Sequence, residues 1–475
     1  PNEVEALFVG GPFNGAFHDT RKPIPAMEAA YYDASSYEMD ELKREDQLTT
    51  DTEVNLKLDF ARDYVLSGHP SQLKFGTKLS RREKDNDVEV VEFDTGDLAS
   101  TSLEDYQTEV DYGLAPFGPG ASNSAIRGAL AGLNGERNEV DSRLEDFEMR
   151  EDVNALYVMN SIDIGDWHLL AGLRYEGTSF EADGVRYDDA SGEWSPNRSD
   201  KQDDHVLPGL HANYRLDSDT LVRAAFTQSV VRPSFEQLAP YVYLEDDGGD
   251  LKAEFGNPEL DPLKSSNLDL GIERYVGRVG LMSAYVFYKD IKNYTYATDL
   301  SGTGDWAAYD EAATFANGDE ASIYGLELAF SRKFGHFLTG ANLTLSDSEA
   351  KVDGYDGGNY LSRDIELPLH SETVANLTVG WENERVSLRL AGNYKSGYLE
   401  EISSLDAPQE DRYVDDSLYL DFSARYYMTD QLQVNVEALN LTDEVYYAYI
   451  GKERFNAQYE EYGPTYKLGL ALKHF

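Results

Sequence analysis

The sequence predicts an all-β fold, a transmembrane antiparallel β-barrel. Three observations carry this. Apolar and polar residues alternate along one segment after another, very short turns alternate with long polar loops, and convincing helical stripes are hard to find. Composition sets the bounds. The chain has 475 residues, with 88 acidic against 41 basic side chains and a net charge of −47. A polyanion repels phosphate and has no counterions to release, which excludes nucleic acid as a partner. Such charge suggests disorder, but 12% aromatics, 33 of them tyrosines, require a folded setting. The absence of cysteine excludes disulfides, thiolate zinc sites and cysteine nucleophiles. The longest apolar stretches, such as Gly280–Tyr288, fall far short of the roughly 18 residues a membrane helix needs. The chain opens Pro-Asn-Glu-Val with no signal peptide, so residue 1 is expected to be a processed or truncated start.

The strands follow in order. In Thr52–Tyr64, Val54, Leu56, Leu58 and Phe60 alternate with Glu53, Asn55, Lys57 and Asp59. Successive side chains of a strand point to opposite faces, so one face is apolar and the other charged. Gln72–Ser80 repeats the pattern with Leu73, Phe75 and Leu79. Arg385–Lys395 sets Val386, Leu388, Leu390 and Tyr394 against Arg385, Arg389 and Lys395. Ser417–Tyr427 and Gln431–Ala438 do the same with Leu418, Leu420 and Phe422, then Leu432, Val434 and Val436. Strands pair through tight turns at Gly165-Asp166, Asp217-Ser218-Asp219, Gly277-Arg278, Phe334-Gly335, Asn383-Glu384 and Thr429-Asp430. Between the pairs lie polar segments at 179–204, 230–266, 291–320, 349–370, 397–415 and 441–464. Outer-membrane barrels obey this rule, with short turns on the periplasmic side and long loops outside, and strands of about ten tilted residues matching an apolar band about 25 Å tall. Aromatics near strand ends, Tyr64, Tyr175, Phe226, Tyr285, Trp381 and Tyr394, fit interfacial girdles.

Parity adds a constraint. Both ends of a bacterial barrel lie in the periplasm, so the last strand, Thr465–Phe475, runs inward. Counting back gives about fifteen strands; the first, Thr52–Tyr64, also runs inward, and residues 1–51 are expected outside as an extracellular loop region. Single-chain bacterial barrels have even strand numbers, so the sequence is expected to begin partway round a larger barrel. Glu28–Tyr37 is the one place for a sixteenth strand. With it, a passive 16-stranded porin-like diffusion channel is the alternative reading.

Particular segments then become specific. Thr220–Pro240 reads TLVRAAFTQSVVRPSFEQLAP, Gly256–Tyr275 reads GNPELDPLKSSNLDLGIERY, and Val286–Asn293 reads VFYKDIKN. Glu437–Tyr447 reads EALNLTDEVYY and the chain closes GPTYKLGLALKHF. In this order they resemble the barrel of a TonB-dependent outer-membrane receptor, well from about residue 150 onward and more loosely over 50–150. The resemblance implies a 22-stranded barrel plugged by an N-terminal domain, of which this chain would carry strands 8 to 22, with the plug and TonB box upstream of Pro1. It implies import of a scarce nutrient, an oligosaccharide or a metal chelate, with energy passed through TonB at the inner membrane of a Gram-negative cell. It further implies outer-membrane lipid and the barrel-assembly machinery as partners. The assembly signal would be the terminal strand, with Tyr466, Leu468 and Leu470 on one face and Phe475 at the end. Leu263 departs from the acidic residue the family usually carries after the Asp-Pro of this motif.

The loops hold the candidate site residues. Tyr241 and Tyr243 in one, and Tyr294, Tyr296, Trp306 and Tyr309 in the next, offer rigid aromatic faces for sugar rings or planar chelates, or else pack loop on loop. Arg232 is a lumen-facing candidate for an anionic ligand, or the partner of one of many acids beside Pro233. The acidic loops favour a neutral oligosaccharide or a cationic chelate over an anionic one, although Arg174, Arg223, Arg385, Arg389 and Arg425 are placed to line a basic path. Acid clusters at Glu245–Asp250 and Asp353–Asn359 have carboxylates and glycines that suit calcium but lack EF-hand spacing, and are read as solvated loop tips. No nucleotide, hydrolase or His-x-x-x-His motif appears, so no enzyme, cofactor or metal is expected.

Overall fold

The computed structural model describes residues 2–10, 17–19, 22–23, 28–110, 113, 118–277, 280–356, 359–403, 405 and 407–472. Fifteen strands form one continuous antiparallel wall in chain order. They are β1 (Tyr37–Leu66), β2 (His69–Glu92), β3 (Phe147–Ile164), β4 (Trp167–Asp188), β5 (Glu193–Arg215), β6 (Thr220–Val231), β7 (Leu263–Tyr275) and β8 (Leu281–Lys292), then β9 (Glu320–Phe334), β10 (Phe337–Asp356), β11 (Thr373–Glu382), β12 (Val386–Lys395), β13 (Ser417–Tyr427), β14 (Leu432–Leu439) and β15 (Thr465–Leu472). Each pairs with the next. The same holds to the end of the wall. This is the predicted strand number and the predicted order.

Register fixes the faces. Leu58, Thr77 and Leu156 lie side by side, as do Ala224, Leu270, Val286 and Leu326 further round, and Val379, Leu390 and Phe422 beyond them. All project from the outward face, and they are widely exposed there: Val54 by 66%, Leu156 by 59% and Leu470 by 74%. Exposed apolar surface on this scale identifies a wall that is not built for water. The opposite face is polar. Arg223 Nε and Nη2 reach Glu273 at 3.0 and 3.2 Å, and Arg82 bridges Asp51 across β1 and β2 at 2.5 Å. Arg174, Arg389 and Arg425 share that inner face as expected, whereas Arg385 falls in the turn before β12. Of the proposed girdle aromatics, Tyr64, Tyr175, Phe226, Trp381 and Tyr394 are outward. Tyr285 is not: it faces inward, donates to Glu273 and lies over Gly271, its direct cross-strand partner. A Cβ on Gly271 would overlap the tyrosine ring, so the missing side chain makes room for an inward aromatic.

Turns and loops alternate as the sequence requires. Ser67 and Gly68 close β1–β2 with φ of 51° and 85°, the left-handed pair that matches strand twist in a two-residue hairpin. On the other side the wall differs from expectation in two ways. The first strand begins at Tyr37 rather than Thr52, and residues Asn2–Gly10 pair with its upper part. Much of the region assigned to an external loop is thus strand that runs past the apolar band on the loop side. Glu28–Tyr37 holds a short helix at Glu28–Tyr31 and a 3-10 turn at Ala34–Ser36, so it supplies no sixteenth wall strand. Likewise 179–204 is no open loop: β4 and β5 run on through it as a hairpin closed at 189–192. Polar residues on both faces are what a strand needs above a membrane, so alternation could not report these extensions.

The buried cores lie at the loop end. One gathers Ile291, Val352, Ile365 and Leu399; another Met39, Leu42, Val91 and Leu103; a third Met149, Phe180, Phe235 and Leu260. Arg363 of the strand Asn359–Ile365 makes a two-pronged pair with fully buried Asp411, and so ties two loops together. Glu245–Asp250 is a hairpin tip, with Gly248 and Gly249 in left-handed conformations. The second acid cluster includes residues 357–358, outside the described residues. Among the described residues, no three metal-ligating side chains converge.

Candidate ligand site at the loop end of the wall

A cavity of about 650 Å³ opens where the inner face of the wall meets the loops. Its floor comes from parity: Gln47, Thr49, Lys84, Asn86 and Phe147 are inward residues of β1, β2 and β3, with Thr49, Asn86 and Phe147 side by side in register. Its roof comes from loops, with Glu236 and Tyr241 from the connection after β6, Glu254 and Phe255 from the strand Asp250–Phe255, and Thr314 and Phe315 from Glu311–Asn317. Asn86 Oδ1 accepts from Thr49 and Gln47 at 2.6 and 3.0 Å, and its amide donates to the Glu145 carbonyl at 2.9 Å. The floor is therefore locked by its own hydrogen bonds.

The electrostatics are one-sided. Among the described residues, Glu145, Asp146, Glu236 and Glu254 line the cavity against one cation, Lys84. Burial pushes the Glu145 carboxyl up, and crowding by Glu45, Asp141, Glu254 and Asp146 adds to it. Burial also raises Asp146, although its carboxylate accepts the Val88 N–H at 2.9 Å. The Tyr241 hydroxyl donates to Glu254 Oε1 at 2.8 Å; burial, then this carboxylate, raises its pKa. The Thr314 hydroxyl is buried and has no hydrogen-bond partner among the described residues.

The sequence-chosen aromatics divide. Tyr241 and Tyr243 line the cavity, and Tyr243 stacks at 6.2 Å on Tyr187 of β4. Trp306 stacks at 4.5 Å on Phe255, a cavity residue, and Tyr309 meets Trp306 edge-on at 5.1 Å, so this pair backs the wall of the site. Tyr294 and Tyr296 are elsewhere. Both are buried in the Ile291–Val352 core, and their hydroxyls donate to the carbonyls of Lys351 and Asp353. They pin one loop to the top of β10 and present no face to a ligand. Arg232 is likewise occupied: it pairs with Glu176 at 2.8 Å and Thr178 at 2.8 Å, with Glu151 at 3.5 Å. An anion there would have to displace Glu176. Sequence reasoning missed Glu145, Asp146, Phe147, Glu254, Phe255 and Thr314. For Phe147, the inward parity of β3 was the available signal. At the other end of the wall Tyr466, Leu468 and Leu470 share the outward face of β15, while Phe475 lies outside the described residues.

Known proteins agree with this architecture. Residues 7–441 match the family model described as TonB dependent receptor-like, beta-barrel. The iron-regulated outer membrane virulence protein of Vibrio cholerae serotype O1 is 26% identical over 279 residues, covering 56% of this chain and 39% of that protein. The vitamin B12 transporter BtuB of Photobacterium profundum is 26% identical over 329 residues, covering 67% of this chain and 43% of that protein. The chain thus spans about two-fifths of the curated relatives it matches. Among solved structures, the siderophore receptor PiuA of Acinetobacter baumannii superposes with a TM-score of 0.63 at 14% identity, over 94% of this chain and 60% of that one. The ferric-catecholate import receptor Fiu of E. coli K12 gives 0.59 at 14%, over 99% and 60%. At such identity the likeness is one of fold. Family match, wall topology and loop asymmetry coincide, and the chain belongs to the TonB-dependent receptor-like β-barrel family of the bacterial outer membrane.

Proposed function

We propose that the protein is an outer-membrane receptor that captures a small, scarce nutrient at the loop-end cavity and imports it with TonB-coupled energy. The observation that carries this reading is the cavity itself: aromatic and charged side chains from five separate segments converge on the inner face of the wall, where a ligand arriving from outside would enter. Relatives named for iron regulation and vitamin B12 transport make a metal chelate the favoured cargo over an oligosaccharide. The partners that follow are lipid on the exposed apolar face, the assembly machinery at the terminal strand, and the TonB complex at the inner membrane. A passive porin is disfavoured by the match of residues 7–441 to the TonB-dependent receptor-like barrel family. The test is uptake of radiolabelled ferric chelates by cells expressing the full protein, with and without TonB. Accumulation that requires both TonB and Tyr241 supports the reading; accumulation indifferent to TonB would return it to passive diffusion.

A further inference from the structure

The geometry points to a ligand that carries an organic cation, an ammonium or alkylammonium group, held in the loop-end cavity between Tyr241, Phe255 and the carboxylates of Glu236 and Glu254. This rests on the receptor reading above and deepens it by naming the charge of the cargo.

The charge balance favours a cation over an anion or a neutral sugar, and two further features of the cavity fit such a group. Four carboxylates line the cavity against Lys84, and Lys84 is already engaged, its Nζ lying 5.8 Å from the centre of the Phe235 ring. Glu236 and Glu254 are exposed to the cavity and Asp146 already feels Arg137 and Arg143, yet acids outnumber the cation that lines the space, and a ligand cation gains an attraction there that a sugar hydroxyl does not. The aromatic component fits the same group: Tyr241, Tyr243, Phe147, Phe255 and Phe315 surround the space, and the negative faces of such rings attract ammonium groups. Lastly, Thr314 is 95% buried (5% exposed) with its hydroxyl unpartnered among these residues. A buried hydroxyl without a partner costs free energy, and an N–H donor from the ligand would satisfy it. Burial is the first cause of the raised carboxyls of Glu145 and Asp146; neighbouring acids add to it at Glu145, while Arg137 and Arg143 oppose it at Asp146.

The experiment uses the full receptor purified in detergent and titrated calorimetrically with four probes. These are a monocationic ferric trihydroxamate bearing a free primary amine, its N-acetylated neutral analogue, a trianionic ferric tricatecholate and a neutral maltooligosaccharide. The cationic probe is expected to bind about tenfold tighter than its acetylated analogue, the worth of one charge-assisted hydrogen bond. Glu254→Gln and Glu236→Gln should each shrink the ratio of affinities between the cationic probe and its acetylated analogue. Heat-modifiable electrophoretic mobility verifies that each variant is folded. Equal binding of cationic and acetylated probes, preference for the tricatecholate or the oligosaccharide, or no binding of the cationic probe overturns the inference. The receptor reading fails separately: if some probe binds but Tyr241→Ala and Phe255→Ala weaken none, the cavity is not the capture site, whereas uniform weakening without charge preference keeps the receptor and removes only the cation.

Discussion

Leu390→Arg tests the assignment of faces on which everything else depends. Leu390 projects outward from β12 between Val379 of β11 and Phe422 of β13. A strand rising about 3.3 Å per residue and tilted near 40° gains roughly 2.5 Å of height per residue. Leu390 follows Val386, the first residue of β12, by four positions, so it stands roughly 10 Å into an apolar band about 25 Å tall. An arginine near the midplane costs about 2–4 kcal/mol. The adjacent residue supplies the control. Arg389 points inward, is 54% exposed and meets Glu382 at only 3.5 Å, so Arg389→Leu should cost under about 1 kcal/mol. Two neighbouring positions are therefore expected to differ by about 2 kcal/mol with opposite changes of polarity. Urea unfolding of the protein reconstituted in phosphatidylcholine vesicles, read by electrophoretic mobility without boiling, measures both. Equal costs, or a larger cost for Arg389→Leu, would refute the inward and outward assignment for the whole ladder, because register ties every strand to its neighbours.

Other consequences follow from the same geometry. Gly271→Ala should destabilise by about 1–3 kcal/mol through overlap with the Tyr285 ring, and Tyr285→Ala in the same chain should recover most of it in a double-mutant cycle. Asp411→Ala strips Arg363 of its buried partner; loss of such a partner costs about 3–5 kcal/mol. Because the pair joins loops, the effect should appear as faster proteolytic nicking near 359–365 and 399–414, with the wall strands still protected. His370 holds the 366–372 connection to β10, its ring nitrogens 3.0 and 2.9 Å from Ser346 and Ser348 Oγ. Burial lowers its pKa below the ordinary 6.5, against the opposing pull of Glu366, Glu372 and Asp347. Its folded pKa is depressed, so its contribution is present above pH 6.5 and fades as pH falls through the folded value. Protection factors against hydrogen exchange in this connection should fall on acidification in the native protein and lose that pH dependence in His370→Asn. Finally, Tyr241→Phe should weaken ligand binding less than Tyr241→Ala, since it keeps the ring and loses only the bond to Glu254; the reverse order would show that the hydroxyl, not the face, makes the contact.

Much of the wall is legible in the chain because its cause is local. A strand alternates faces with period two, and Val54, Leu56, Leu58 and Phe60 record that period with no knowledge of their neighbours. Tight turns at Gly165-Asp166 and Asn383-Glu384 record where the chain reverses, and their spacing sets the strand number and the side on which loops collect. Alternation fails where both faces meet water, which is why the beginning of β1 and the β4–β5 hairpin read as loop. Tertiary structure alone decided the site. Tyr241 and Tyr294 are both tyrosines in long polar loops, yet one lines a cavity and the other is buried under a carbonyl of β10. Nothing within ten residues of either distinguishes them, because the difference lies in what distant segments bring: Glu254 and Phe147 to the first, Val352 and Leu399 to the second. Arg232 could be named from the sequence, but its partner, Glu176, stands across the wall on another strand. A charge balance, a stacking face or an unpartnered hydroxyl belongs to a set of residues meeting in space, and the chain fixes that set only after the whole wall has placed its loops.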